Sequence, residues 1–288
     1  EKIISSVDRS DPQPPNLGGL VGVILAAGMA KRLRPLTDTK PKCLLTVGDK
    51  TLLERTVDAM LQAGITEFVV VTGYLAGQIR DFITDKYSEQ KLSSPSLPLH
   101  SPFTPPPLPL KFTFLHNAGY EHNNNIYSLW MAGRVVRGHD FLLMDSDILC
   151  DPQTVVTIAQ QKDSALAVNR HELGEEEMKV VVDSNMRITE ISKTCRPEDA
   201  IGESVGIERI TADYSEALFR ELDKMIIDEK LIDIFYERAF ERLIPQGHTF
   251  RVVDTTDLFS YEIDTPEDYE CVKQILVEQQ HEHELRKI

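Results

Sequence analysis

The sequence predicts an α/β fold with a mostly parallel central sheet and crossover helices. Three observations carry this expectation. Continuous apolar runs of strand length, "LVGVILA" (Leu20–Ala26) and "FVVVT" (Phe68–Thr72), are the mark of strands buried on both faces. Segments with helical spacing, such as "LLERTVDAMLQA" (Leu52–Ala63), fall between them. Strand and helix then alternate, which is the order of a parallel sheet.

Taken in order, Leu20–Ala26 is the first strand. The helix at Leu52–Ala63 stops at Gly64, a C-cap residue. Phe68–Thr72 is the second strand, and Leu75–Tyr87 the second helix. "KFTFLH" (Lys111–His116) alternates as a strand, and Ile126–Val136 is helical. "FLLM" (Phe141–Met144) is a short buried strand, and a helix begins at Pro152 behind Asp151. After about Ala165 the pattern changes. "ALAVNR", "KVVVD", "RITEIS" and "SVGIERI" read as strands joined by short turns. Helices follow near Ser215–Asp228 and Leu231–Leu243, then strands in "TFRVVD" and "LFSYEI". A long helix from Pro266 closes the chain, with "HEHELRKI" expected to fray.

Two segments stand outside this pattern. Residues 1–19 are polar and rich in Pro and Gly, and read as a flexible N-terminal extension. Residues 93–110 hold seven prolines in eighteen residues, which excludes helix or sheet interior. This insertion is expected to be a surface loop, with an extended docking segment as the alternative. Residues 20–288 are then one domain, in which 20–164 and 165–288 are two parts.

At 288 residues the chain can bury a full core. Its content of 41% hydrophobic and 27% charged residues is ordinary for a soluble globular protein. A formal net charge of −15 argues against non-specific binding of nucleic acid or anionic membrane, which needs a basic surface. No apolar run approaches the roughly 18 residues of a membrane span. The four cysteines (Cys43, Cys150, Cys195, Cys271) are scattered and form no C-x-x-C pair. Free thiols in a reducing compartment, the cytoplasm, are the expectation.

Against this acidic background, five basic residues fall between Lys31 and Lys42, with one acid, Asp38. They follow the first strand directly. Small residues at Ala26–Gly28 let a backbone approach a ligand closely. Amides in such a turn, with Lys31 and Arg32 beside them, form an anion cradle. Neither G-x-G-x-x-G nor G-x-x-x-x-G-K-[ST] is present. A solvated surface turn is the plainer account.

A second signal is "FLLMDSDILCD", where Asp145 and Asp147 end a buried strand two residues apart. Strand spacing puts both carboxylates on one face. The C-terminal edge of a parallel sheet is where ligands bind. Carboxylates without His or Cys partners suit Mg²⁺.

"LAAGMAKRLRPLTDTKPKCLLTVGDKTLLE" (Leu25–Glu54) resembles the opening of the nucleotidyltransferases that join a nucleoside triphosphate to a phosphorylated small molecule. Their pattern is L-A-A-G-x-G-x-R-L followed by P-K. The resemblance implies a Rossmann-like, GT-A-like sheet with a smaller acceptor-binding α/β subdomain. It implies that Leu25, Ala26, Ala27, Gly28, Met29, Ala30 and Lys31 bind nucleotide. Arg32 would contact the β- and γ-phosphates, and Lys42 would neutralise the α-phosphate during attack. Mg²⁺ would be held by Asp147 and by Asp264 of "YEIDTPEDY", with Asp145 a further candidate. An N-cap before Thr265-Pro266 is the plainer reading of Asp264, and a residue at a strand end can both cap and ligate. One departure is visible: the loop's second glycine is Ala30, whose Cβ resists positive φ.

"NNNIYSLWMA" (Asn123–Ala132) resembles the N-N-x-x-S-L segment of bacterial CTP:phosphocholine cytidylyltransferases. That places Asn124, Asn125 and Ser128 near base and ribose, with Gly73 and Tyr74 on another base-side loop; helix capping is the plainer reading. "KVVVDSNMRITEISKT" and "GESVGIERI" resemble 2-aminoethylphosphonate cytidylyltransferases, and "LIDIFYERAF" resembles the acceptor-side helix of both groups. Lys179, Lys193 and Glu203 would then hold the acceptor, and Asp233, Tyr236 and Glu237 would face its ammonium group. An aromatic cage for trimethylammonium is not evident, since Met178-Lys179 stands where an aromatic is looked for.

The expected partners are CTP and a small phosphorylated or phosphonylated amino-alcohol, with no nucleic acid and no membrane insertion. A homodimer is a candidate assembly, and cell-surface glycan biosynthesis an implied setting. The alternatives are a sugar-1-phosphate or inositol-phosphate nucleotidyltransferase using UTP, dTTP or CTP, and a catalytically silent nucleotide-binding homologue.

Overall fold

The computed structural model describes residues 19–87 and 109–285. The expectations for the N-terminal extension and for most of the proline-rich insertion lie outside the described residues.

The apolar run after Leu20 forms strand β1 (Val21–Ala26), buried along its whole length. Its alternate residues explain why the run is continuous. Val21, Val23 and Leu25 join one core cluster, while Ile24 and Ala26 join another on the opposite face of the sheet. β1 pairs in parallel with β4 (Glu67–Thr72) and with β6 (Phe141–Asp145). β4 pairs in parallel with β5 (Lys111–His116). The block β5-β4-β1-β6 is the parallel core. Helices α1 (Leu52–Gln62), α2 (Ala76–Tyr87) and α3 (Asn125–Val136) are its crossovers. Thr51 caps α1 by accepting from the Glu54 amide, and Gly64 follows its end with φ +83°.

Beyond β6 the same sheet continues with the C-terminal strands. β11 (Gly202–Ile210) runs antiparallel to β6 and to β8 (Ala165–Asn169). Its N-terminal end pairs with β9 (Lys179–Val182), which pairs with β10 (Ile188–Ser192). β12 (Arg251–Asp254) lies parallel to β8. The register of β11 shifts between Ser204 and Glu208, around Gly206 with φ +74°. Two short ladders complete the strands. β2 (Thr46–Val47) pairs with β3 (Lys50–Thr51), and β7 (Ile148–Cys150) with β13 (Ser260–Glu262).

Asp151 caps α4 (Pro152–Ala159) as expected, accepting from the Gln153 amide at 2.8 Å. α5 (Ala212–Asp223) widens into a π-helical turn at Lys224–Asp228. The helix expected over Leu231–Leu243 is shorter: only α6, Glu237–Leu243, is helical. The preceding stretch spends its backbone groups elsewhere. The Ile232 carbonyl accepts from the Asn124 amide at 2.9 Å, and the Tyr236 amide donates to Asn125 Oδ1 at 3.0 Å. These bonds tie it to the start of α3 and preclude an i→i−4 ladder. α7 (Pro266–Leu285) is the last helix of the described residues. Among the described residues no helix is long and apolar enough to cross a membrane.

A third core cluster matters for the site. Leu33, Leu45 and Val47 of the basic loop pack with Leu149 of β7, Ile263, and Val272 of α7. Apolar contact thus clamps the N-terminal basic loop to a segment more than 200 residues away in sequence.

Candidate active site

β1 and β6 end side by side, with Leu25 opposite Asp145. The chain leaving β1 forms the loop Ala27–Ala30, then a single turn at Lys31–Leu33. Ala30 has φ +45° and ψ +53°, so it holds the left-handed conformation that its Cβ disfavours. Its carbonyl accepts from Leu33 N at 3.0 Å and from Thr37 Oγ1 at 2.9 Å, which fixes the turn. Gly28 has open space where a Cβ would stand. Gly73 does not: a Cβ there would lie 2.6 Å from the Ala27 carbonyl oxygen. Gly73 therefore lets β4 close against the loop from behind.

The loop, the end of β6 and the start of α3 surround a cleft. Of the expected nucleotide residues, Leu25, Ala26, Ala27, Gly28, Ala30, Lys31, Asn124, Asn125 and Ser128 line it, and so do Arg32 and Lys42. Met29, Gly73 and Tyr74 do not. Tyr74 hydroxyl donates to the carbonyls of Thr37 and Asp38 at 2.9 and 2.8 Å, so it braces the basic loop from outside. Asn124 caps α3 by accepting from the Asn125 amide. Ser128 is buried and accepts from Asn117 Nδ2 at 3.1 Å. Asn117 also exchanges hydrogen bonds with Asn123. Asn117 and Tyr120 line the cleft but escaped the sequence reading, because both lie in the irregular stretch after β5.

The acids arrive from two directions. β6 ends at Asp145, so Asp147 sits in the turn between β6 and β7 rather than two places along a strand. The expected side-by-side strand pair is corrected by that turn. Asp145 Oδ2 instead accepts from the Tyr236 hydroxyl at 3.3 Å. Burial first, and then the charges of Asp147 and Glu237, hold its carboxyl well above the usual range. β13 runs antiparallel to β7 and delivers Glu262 and Asp264 to Asp147, with the Ile263 amide donating to the Asp147 carbonyl at 3.2 Å. Asp147, Glu262 and Asp264 offer carboxylate oxygens within 4.8 Å of one another. Asp145 is not of this group. Glu262 was missed, although "EID" gives it the same two-residue spacing to Asp264 that drew attention to Asp145 and Asp147.

Asp264 is not a helix cap. Asp268 Oδ2 accepts from the Asp264 amide and from the amide and hydroxyl of Thr265, while Thr265 Oγ1 accepts from the Asp268 amide. This reciprocal cap leaves the Asp264 side chain for the cleft. There Asp264 Oδ2 pairs with Arg32, and Oδ1 accepts from Lys42 Nζ at 2.7 Å. Lys42 Nζ also donates to Asp147 Oδ2 at 2.8 Å. Burial alone would depress the Lys42 ammonium, but the charges of Asp147 and Asp264 outweigh it and hold it above the usual lysine value. The bases assigned to phosphate and the acids assigned to metal thus form one interlocked network.

Asp147 Oδ1 is buried with no hydrogen-bond partner, and every donor in the acidic group is a carboxylate oxygen. Such a set fits a hard divalent cation.

A second cleft adjoins the first across Asn125, Asp145, Asp147, Phe235 and Glu262. Lys193, Glu203 and Glu237 of the expected acceptor set line it. Lys179, Asp233 and Tyr236 do not. Lys179 is 1% exposed, and its Nζ is spent on the carbonyls of Glu175, Glu177 and Lys193. It staples the β9 approach together. Tyr236 is buried beneath Asp145, and Asp233 is turned to solvent. Glu203 Oε2 lies 2.8 Å from His171 Nε2 and accepts from it in the tautomer, or the imidazolium, that carries a proton there. Phe235, 44% exposed, was missed as a lone aromatic; Lys193 Nζ stands 5.1 Å from its ring centroid.

Known proteins carry the same framework. The chain is 22% identical over 254 residues to the choline-phosphate cytidylyltransferase of Streptococcus pneumoniae, covering 88% of this chain and 97% of that one. The solved CTP:phosphocholine cytidylyltransferase of that organism superposes with a TM-score of 0.70, over 90% of this chain and 99% of the other. The CMP-5'-(3-aminopropyl)phosphonate synthase of Streptomyces rubellomurinus is 26% identical over 85% of this chain, which spans only 37% of that longer protein. The inositol-1-phosphate CTP transferase of T. maritima superposes with a TM-score of 0.67 at 20% identity, over 89% and 96% of the two chains. Residues 21–189, which include the basic loop, the parallel block of the sheet and Asp147, match the nucleotidyl transferase family model: the chain belongs to the nucleotidyl transferase family.

Proposed function

We propose that the chain is a cytidylyltransferase that transfers CMP from CTP to a small zwitterion, with a phosphate or phosphonate at one end and an amine-derived cation at the other. Phosphocholine, phosphoethanolamine and 2-aminoethylphosphonate are acceptors of this kind. The observation that carries the acceptor class is the wall of the second cleft. Besides the shared Asp145, Asp147 and Glu262, it presents Glu176, Glu203 and Glu237, against one base, Lys193. A cationic group gains from such a wall, whereas a sugar or inositol phosphate brings only hydroxyls and negative charge to it.

An acceptor oxygen attacks the α-phosphorus of CTP, forming the new P–O bond as the bond to pyrophosphate breaks. No covalent intermediate with the protein is required. Amides of Ala27–Ala30 and the side chains of Lys31 and Arg32 hold the triphosphate. Lys42, at the inner end of the loop, lies where it can stabilise charge that develops on the α-phosphate. Asp147, Glu262 and Asp264 would hold Mg²⁺, which supplies charge neutralisation and orientation of phosphoryl oxygens. Asn117, Asn123, Asn124 and Ser128 offer the amides and hydroxyl that read a base edge. The first turn of α3 fixes both this wall and, through Asn125, the stretch bearing Phe235 and Glu237.

The test is incubation with CTP, Mg²⁺ and a pool of amino-alcohol phosphates, phosphonates, inositol phosphate and hexose phosphates, with products read by mass. CMP adducts of the zwitterions are expected. Adducts confined to hexose or inositol phosphates would move the chain to the sugar branch. No adduct with any nucleotide would leave a silent homologue.

A further inference from the structure

We infer that Glu237 receives a primary ammonium group on the acceptor, so that the second cleft selects an amine able to donate hydrogen bonds over a trimethylammonium. This rests on reading that cleft as the acceptor site of a CTP-dependent transferase.

Two independent observations carry it. The first is hydrogen-bond accounting. Glu237 opens α6, lines the cleft, is 8% exposed, and its Oε2 has no partner. A buried acceptor left without a donor is costly, and it calls for one. Three other acids of this wall are engaged, Glu203 with His171, Glu176 with Lys193, and Asp145 with Tyr236, while Glu262 and Asp147 belong to the group that fits a metal. Among the described residues, the carboxylate oxygens of these clefts that are buried and unpartnered belong to Asp147 and Glu237. Asp147 falls in the group that fits a metal; Glu237 remains for the acceptor. An –NH₃⁺ brings three donors. A trimethylammonium brings none.

The second observation concerns the aromatic surface. Quaternary ammonium is held by ring faces. The aromatic residue lining this cleft is Phe235, and Lys193 already stands over its ring. The geometry therefore offers carboxylate where a cage would offer rings.

The experiment compares three acceptors of matched length with the full chain, CTP and Mg²⁺: 2-aminoethylphosphonate, its N,N,N-trimethyl counterpart, and the neutral isostere propylphosphonate. Pyrophosphate release gives kcat/KM for each. The primary amine should exceed both others by about tenfold or more, the range of a charge-assisted hydrogen bond. Glu237→Gln, checked for folding by its melting temperature, should bring the amine-to-propyl ratio close to one. Phe235→Leu should leave the amine-to-trimethyl ratio in favour of the amine. A trimethyl acceptor used as well as or better than the amine overturns the inference, and the wild-type ratio alone decides this if Glu237→Gln does not fold. A Glu237→Gln protein that folds and keeps the full preference also overturns it. Turnover of CTP with hexose phosphates but with none of the three would instead overturn the functional reading on which the inference rests.

Discussion

Lys42 Nζ donates to Asp264 Oδ1 at 2.7 Å, across 222 residues of sequence. With Asp147 Oδ2 at 2.8 Å on its other side, the ammonium sits where a divalent cation would be expected to neutralise the same carboxylates. Removing that tethered charge should let a free cation in. Lys42→Met should bind Mn²⁺ about tenfold more tightly without nucleotide, measured by electron paramagnetic resonance, while pyrophosphate release from CTP falls by about two orders of magnitude. Unchanged Mn²⁺ affinity would show that Lys42 does not compete for this seat.

Asp147 supplies the buried, unpartnered oxygen of the acidic group. Asp147→Asn should keep the melting temperature within a few degrees and lose most of the turnover, a deficit of several kcal/mol in transition-state stabilisation. A near-normal rate at limiting Mg²⁺ would rule out Asp147 as a ligand. Chelation should also abolish activity of the unaltered chain.

Ala30 holds φ +45° at the turn of the basic loop. The left-handed region costs an L-residue roughly 1–2 kcal/mol, and a glycine loses about 0.4–1 kcal/mol through its freer unfolded chain. Ala30→Gly should therefore be neutral to about 1 kcal/mol stabilising in chemical denaturation. Ala30→Val, branched at Cβ, should destabilise clearly. A glycine variant that loses more than 1 kcal/mol would mean the Ala30 methyl makes a packing contribution that outweighs its strain.

Glu208 lies on β11 between β6 and β8, fully buried, with neither carboxyl oxygen hydrogen-bonded. Burial first, and then the charges of Glu237 and Asp145, hold its carboxyl well above 4.5. The folded state therefore keeps a proton that the unfolded chain releases above that pH. Its contribution to stability is intact below about pH 4.5 and is lost as pH rises, with a slope of about 1.4 kcal/mol per pH unit for one proton. Glu208→Gln should flatten the fall of stability as pH rises above about 4.5, by up to that slope. Asp145 and Glu237 have the same sign, so a residual slope should remain. Parallel curves for the two proteins would place an ionised Glu208 in the core.

The framework was legible because it is written locally. β1, β4, β5 and α4 follow from apolar runs, alternation and one Asp-Pro start, each decided within ten residues of sequence. Arg32 and Lys42 were legible as a charge excess beside a strand end. What escaped depends on contacts between distant segments. Glu262 gains meaning only once β13 docks on β7, and Lys179 reads as a ligand until its ammonium is seen among three backbone carbonyls. The stretch before α6 has helical composition, yet its Ile232 carbonyl and Tyr236 amide are claimed by Asn124 and Asn125. Asp264 was legible as a metal candidate, but that Asp268, four places on and past a proline, takes over the capping was not.

The bond from the Tyr236 amide to Asn125 Oδ1 bears on how such chains could be recombined. Phe235 and Glu237 flank Tyr236, while Asn125 opens the helix beside the first cleft. A hybrid that took its N-terminal half from a relative and its C-terminal half from this chain would cross this joint as well as the sheet. The sheet would tolerate the exchange, since strand pairing uses backbone groups that every sequence supplies. The joint would not, because it requires a side-chain acceptor at one fixed position. A hybrid lacking that match should fold and bind each substrate separately, yet hold the two out of line, and restoring asparagine at the position of Asn125 should recover coupling between them.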